Sequence, residues 1–281
     1  MSYTTLVSAD ILAANLDNPN WRLFDCRFSL ADATAGHKAF RQGHIPGAHY
    51  ADLNQDLSAP VQSQTGRHPL PDFRVLGKKL GDWGVNNRSQ IVVYDDAGGA
   101  FAGRMWWLLR TMGHTHVAVL DGGLGLWRKH NLPITTTLAK ISPSQFRVYL
   151  DNQQWLDASQ VADGLATGKI TLLDARTPER FHGRQEPIDP VAGHVPKALN
   201  KPLPSNLDKA GQFLAADQLR RQFIQLIGAQ RTEHVVHMCG SGVTACHNLL
   251  AMEIAGLSGS KLYAGSWSEW ITNPNRAVAK A

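Results

Sequence analysis

Most of this chain is written twice, and that repetition constrains its fold more than any other feature of the 281 residues. RLFDCRF around residue 25 returns as TLLDARTPERF around 174, and GHIPGAHYADL at 43–53 returns as GHVPKALNKPL at 193–203. Further on, IVVYDDAGGAFAGRMWWLL answers to HVVHMCGSGVTACHNLL, and VLDGGLGLW at 119–127 to LYAGSWSEW at 262–270. Asp96 and Trp127 are as far apart as Cys239 and Trp270, so the back of each half keeps one register and Asp96 falls at the position of Cys239. The chain therefore reads as two copies of one domain, each of a size that builds its own core. We set the copies at 1–135 and 154–281, with the Thr-, Pro- and Gln-rich stretch 136–153 as the linker between them.

Inside each copy, short Val/Ile/Leu runs alternate with helical stretches, the pattern of an α/β fold with a mainly parallel central sheet flanked by helices. LLDA and HVVHM read as buried strands. DASQVADGLATG reads as a helix capped by Asp157 or Ser159, and CHNLLAMEIAG as a second one, each stopped by a glycine.

Composition narrows the function. No apolar run approaches the ~20 residues that a membrane span needs, and the start, MSYTTLVSADIL, lacks the pattern of a secretory signal, so a cytoplasmic protein without a membrane partner is expected. Cys26, Cys239 and Cys246 are too few and too scattered for a disulfide framework or a closed zinc site. The net charge of +5 comes from Lys and Arg spread along the chain without a basic block, which argues against nucleic acid and suits a small anionic substrate.

The stretch CGSGVTA, from Cys239, carries the chemistry. It follows a predicted parallel strand at its carboxyl end, where open α/β sheets bind ligands, and a helix begins near Ala245 or Cys246. A turn of this kind aims successive backbone N–H groups at one point, and the helix N-terminus adds about half a positive charge. A cysteine facing that point has its thiolate favoured. Asp96 in the first copy implies that the fold does not require a cysteine there, so Cys239 reads as a nucleophile and the first copy as inactive. A cysteine phosphatase would place an arginine after five intervening residues, where this chain has Ala245. An acyl-transfer enzyme would need a histidine base that the spacing does not assign. A thiolate that accepts a sulfur atom and carries it as a persulfide fits best.

The duplicated DxR and GHIPGA segments, the DGG-or-AGS-x-x-x-W pattern and CGSGVTA together resemble the two-domain rhodanese superfamily of sulfurtransferases over nearly the whole chain. With Gly240 and Ser241 where thiosulfate-preferring members carry basic residues, the loop is similar to that of mercaptopyruvate sulfurtransferases. The resemblance implies an enzyme in which Cys239 takes sulfur from 3-mercaptopyruvate, releases pyruvate and passes the sulfur to cyanide or to a thiol such as thioredoxin; no cofactor or metal is expected. It implies that Gly240, Ser241, Gly242, Val243 and Thr244 cradle the substrate and that Arg180, in RFHGRQEP, binds the donor carboxylate. A second arginine usual after the EP step is replaced by Ile188 and Asp189, for which Arg184 is the substitute within the same loop. It further implies a proton relay from His68 to Ser241, with Asn54 where an aspartate is common. Thiosulfate as donor, or a sulfur carrier without turnover, are the alternatives.

Other candidates read as structural. His44 and His194 occur in both copies and are expected to fix a loop beside the DxR pairs Asp25/Arg27 and Asp174/Arg176. His234 and His237 point to opposite faces of a strand rather than to one metal. GHTH at 113–116 reads as a solvated turn, DGGLGLW as a tight turn into a helix, the Trp106–Trp107 pair as packing, and Cys26 and Cys246 as buried thiols.

Overall fold

The computed structural model describes residues 2–280. Each copy is built on a five-stranded sheet in which every strand pairing is parallel. In the first copy the order along the chain is β1 (Leu6–Val7), α1 (Ala9–Ala13), β2 (Trp21–Asp25), α2 (Ala35–Gln42), β3 (Ala48–Tyr50), α3 (Phe73–Asp82), β4 (Gln90–Tyr94), α4 (Ala102–Thr111), β5 (Val117–Leu120) and α5 (Gly123–Lys129). In the second it is β6 (Trp155–Leu156), α6 (Ala158–Ala166), β7 (Thr171–Asp174), α7 (Pro178–Phe181), β8 (Leu199–Asn200), α8 (Ala216–Ile227), β9 (Val235–Met238), α9 (Ala245–Ile254), β10 (Lys261–Tyr263) and α10 (Ser266–Trp270). The strand orders are β1-β5-β4-β2-β3 and β6-β10-β9-β7-β8, one topology used twice.

The sequence pattern explains these elements. β4 and β9 are buried at every position, as strands covered by helices on both faces must be, which is why IVVY and VVHM run apolar instead of alternating. Asp157 caps α6 with a full capping box, its carboxylate accepting from the Gln160 N–H while the Gln160 side chain accepts from the Asp157 N–H. Trp127 in one core and Trp267 in the other are fully buried.

The chain groups into two compact units that are not contiguous in sequence. The first takes the chain up to Ala59, Leu70–Asp151 and Lys209–Phe213; the second takes Pro60–Pro69, Asn152–Asp208 and everything from Leu214 onward. The contiguous division at 1–135, 136–153 and 154–281 misses both exchanged segments, because a loop's packing partner is not encoded in its position along the chain. The stretch read as a linker is also tied down. The Tyr149 N–H donates to Met112 O (3.0 Å), the Asp151 N–H to Thr111 O (2.9 Å) and the Ser144 N–H to Gly81 O (2.8 Å), so it lies along α3 and α4 within the first unit.

Candidate active site

Sheet register decides which residue of the first copy corresponds to Cys239. Asp25 pairs with Tyr94, and Asp174, its counterpart in the DxR motif, pairs with Met238. The next residues, Asp95 and Cys239, are therefore equivalent. Their carbonyls confirm it: Asp95 O accepts from the Leu124 N–H (2.8 Å) and Cys239 O from the Trp267 N–H (3.0 Å). The expected equivalence with Asp96 is wrong by one residue. The loop to the helix holds residues 96–101 in the first copy and 240–244 in the second, and counting back from the tryptophan passes over that extra residue. Asp96 is exposed.

The first copy shows what this loop does to an anion. The Asp95 carboxylate is buried and accepts four backbone N–H groups, from Ala97 (2.8 Å), Gly99 (2.9 Å), Phe101 (2.8 Å) and Ala102 (2.8 Å). Burial pushes its carboxyl upward and the four amides oppose that shift. In the second copy, among the described residues, the amides of Gly240, Ser241, Val243, Thr244 and Ala245 donate to no acceptor. Gly242 makes the turn with φ +75°, and a Cβ there would stand 2.1 Å from Ala264 O, so no other residue fits.

Cys239, the first residue beyond β9, is only 2% exposed. Its N–H donates to Ser266 Oγ (3.1 Å), and that hydroxyl donates to Tyr263 O (2.8 Å). Ser266 holds φ +54°, the same value as Gly123 at the equivalent place in the first copy. The surroundings of the loop are ionic and polar. Ser241 Oγ lies 2.7 Å from Nδ1 of His68, and both side chains are buried. A Cβ built on Gly240 would meet Nη2 of Arg67 at 2.8 Å and Nη1 of Arg180 at 3.4 Å, so two guanidinium groups close over the residue after the cysteine. Burial and the neighbouring Arg180 charge push Arg67 below its ordinary range, with Cys239 acting in the opposite sense.

Arg180 is no surface ion pair, its side chain being 15% exposed. Its Nε donates to both oxygens of Glu186 (3.0 and 3.1 Å) and its Nη2 to Asp189 (2.9 Å). Glu186 also meets Arg176 Nη1 (3.3 Å) and accepts the N–H groups of Ile188 and Asp189 (3.1 Å each). Arg184 is exposed and joins this region through its backbone alone among the described contacts. The cation that accompanies Arg180 is Arg67, which pairs with Asp189 through Nη1 and whose N–H donates to Ser268 Oγ (3.0 Å). Sequence reading missed Arg67 because more than a hundred residues separate it from Arg180; its one signal was its place beside His68 in GRHPLP.

The DxR pairs and their histidines pack as read, whereas His234 ends a short helical turn, Thr232–His234, ahead of β9 and does not share the strand with His237. Arg27 forks onto Asp25 and reaches Gly43 O (2.8 Å), while His44 stacks on Phe40; Arg176 forks onto Asp174 and reaches Gly193 O (2.8 Å), while His194 stacks on Phe181. Cys26 and Cys246 are buried. Among the described residues no group of His, Cys, Asp and Glu has a metal-holding arrangement, and no helix is long and apolar enough to cross a membrane. GHTH is a correction: His114 is buried rather than solvated, its ring 5.6 Å from that of Phe146, and burial pushes it down to about 4.

A doubled α/β unit with one cysteine loop at the strand ends defines a class, and the chain belongs to the rhodanese family: the rhodanese-like domain matches residues 8–130 and 157–273. It is 47% identical to a probable 3-mercaptopyruvate sulfurtransferase of Pseudomonas aeruginosa over 99% of both chains, and 31% identical to the thiosulfate sulfurtransferase of Rattus norvegicus over 96% of this chain and 92% of that one. Among solved structures, that of the 3-mercaptopyruvate sulfotransferase SseA from Escherichia coli superposes with a TM-score of 0.82 at 29% identity, covering 95% of this chain and all of the other.

Proposed function

We propose that this protein is a sulfurtransferase that moves sulfur from 3-mercaptopyruvate through a persulfide on Cys239 to cyanide or a thiol, releasing pyruvate. The observation that carries the reading is the single cysteine set among unpaired loop amides and two guanidinium groups, where the first copy holds a carboxylate. The Cys239 thiolate attacks the donor's sulfur. An S–S bond forms, the donor's C–S bond breaks, and its electron pair passes to C3 as the enolate of pyruvate. Proton delivery to that carbon completes pyruvate, and Ser241 supplies it in this reading, which its hydrogen bond with His68 supports. The outer sulfur is then attacked by the acceptor, and Cys239 leaves as the thiolate that began the cycle.

Arg180 binds the donor's carboxylate with Arg67 beside it, and the loop from Gly240 to Thr244 holds the reacting sulfur. Gly240 and Ser241, short and uncharged, favour mercaptopyruvate over thiosulfate. The acceptor is a small nucleophile or a thiol protein such as thioredoxin, the setting cytoplasmic, with neither nucleic acid nor membrane involved. The test is steady-state transfer to cyanide from each donor. Cys239→Ser should abolish pyruvate release and thiocyanate formation, while Cys26→Ser and Cys246→Ser retain most of both. Wild-type turnover in Cys239→Ser would overturn the reading, and one sulfur loaded without turnover would mark a carrier instead.

A further inference from the structure

Three arginines and three carboxylates form one ionic cluster, Arg67, Arg176 and Arg180 against Asp174, Glu186 and Asp189, and two of the arginines, Arg67 and Arg180, reach Gly240 of the cysteine loop. Charge for charge the cluster is balanced, so an anionic donor finds no cation to spare unless one carboxylate gives way. The three are not equally held. Asp174 is locked by the fork of Arg176 and by the Arg176 N–H (2.9 Å). Glu186 serves two arginines and two backbone amides at once. The Asp189 carboxylate is held by arginines alone among the described contacts, one oxygen on Arg67 and the other on Arg180. Its side chain is 3% exposed, yet the flanking Pro187, Ile188 and Pro190 all face solvent, so the turn has room to move outward.

Resting on the proposed function, we propose that Asp189 is a resident stand-in for the donor's carboxylate: it bridges Arg67 and Arg180 in the free enzyme, and 3-mercaptopyruvate binds by displacing it. The pair of guanidinium groups over Gly240 is thereby kept in a carboxylate-binding pose when no donor is present. The exchange trades one carboxylate for another, so the donor competes with a tethered group and its apparent affinity is reduced by the fraction of time the clamp is occupied. An anion without such a fit meets a neutral surface, which makes Asp189 a filter as well as a placeholder.

The experiment uses the intact chain, with 3-mercaptopyruvate and with mercaptoacetone, which has the same reacting atoms but no carboxylate, at saturating cyanide. Asp189→Asn keeps the shape and removes the charge. We expect its KM for 3-mercaptopyruvate to fall roughly 3- to 30-fold, with kcat within about twofold and the KM for mercaptoacetone unmoved. Pyruvate should raise the melting temperature of the variant more than that of the wild type, because binding now meets no internal competitor. Arg67→Ala in the Asp189→Asn background should return the KM upward, an effect absent if Arg67 serves Asp189 alone. Should Asp189→Asn fold poorly, Asp189→Ser carries the same expectation. A KM for 3-mercaptopyruvate that is unchanged or raised, or an equal fall for both donors, overturns the stand-in role while leaving the sulfurtransferase reading intact. A wild type that does not turn over 3-mercaptopyruvate removes that reading and the inference with it.

Discussion

Asp95 and Cys239 occupy one position in two copies of one fold, and the comparison isolates what the position offers: backbone donors for a buried negative group. In the first copy the donors are consumed by the carboxylate. Truncating it in Asp95→Ala strands four amides, of which those of Gly99 and Ala102 are buried, and at 1–3 kcal/mol for each buried group left unsatisfied the first unit should lose about 2 kcal/mol or more, read as a lower urea midpoint. Asp96→Ala, on the exposed neighbour, should leave the midpoint where it was. Cys239 stood out in the sequence as the candidate nucleophile because a duplicated chain supplies its own control, a cysteine against an aspartate. The choice of aspartate was not legible, since two stand side by side and only strand pairing fixes the register. Arg67 was hidden for a different reason: nothing local to GRHPLP announces that its guanidinium ends beside Gly240.

Among the elements, the loops before α4 and α9 carry the difference between the copies, and the strands carry the sameness. The alternation of β-branched runs and helices was enough to read the sheet, its parallel sense and a helix start near Ala245 or Cys246, because those depend on local pattern and burial. The loops depend on tertiary fit. Gly242→Ala would place a methyl 2.1 Å from a backbone oxygen at a φ of +75°, so it should cost more than 2 kcal/mol and depress sulfur loading of Cys239, followed by mass spectrometry of the trapped persulfide. Gly211→Ala has the same sign of φ, +79°, but open space around it, and should cost only the conformational part, about 1–2 kcal/mol, without touching turnover. The helix ends follow simpler rules: Asp157→Ala removes a capping box and should cost about 1 kcal/mol, seen in the urea midpoint.

At the scale of the molecule, buried histidines set the response to acid. Burial pushes His114 and His49 down to about 4 and His237 down to about 3. Each is depressed below its unfolded value near 6.5, so the folded protein excludes protons that the unfolded chain accepts. The stability they allow is complete above pH 6.5 and drains away as the pH falls toward 4 and 3. For His114 and His237, both nearly inaccessible, the loss by pH 5 is about 2 kcal/mol each, and urea titrations at pH 7 and pH 5 should show it. His114→Gln should flatten its share of that slope. Composition had suggested the opposite for GHTH, since nothing in a short polar turn foretells a neighbour such as Phe146, thirty-two residues on.

The exchange of residues 60–69 into the second unit and 209–213 into the first bears on how the gene can be divided. A fragment starting at residue 154 would carry the thiol and leave behind both Arg67 and His68, the guanidinium and the imidazole that attend it. Halves made by cutting in the 136–153 stretch are thus each other's missing parts: mixed, they should recover what neither shows alone, and a lone C-terminal fragment should take up sulfur from mercaptopyruvate far more slowly than the unbroken polypeptide.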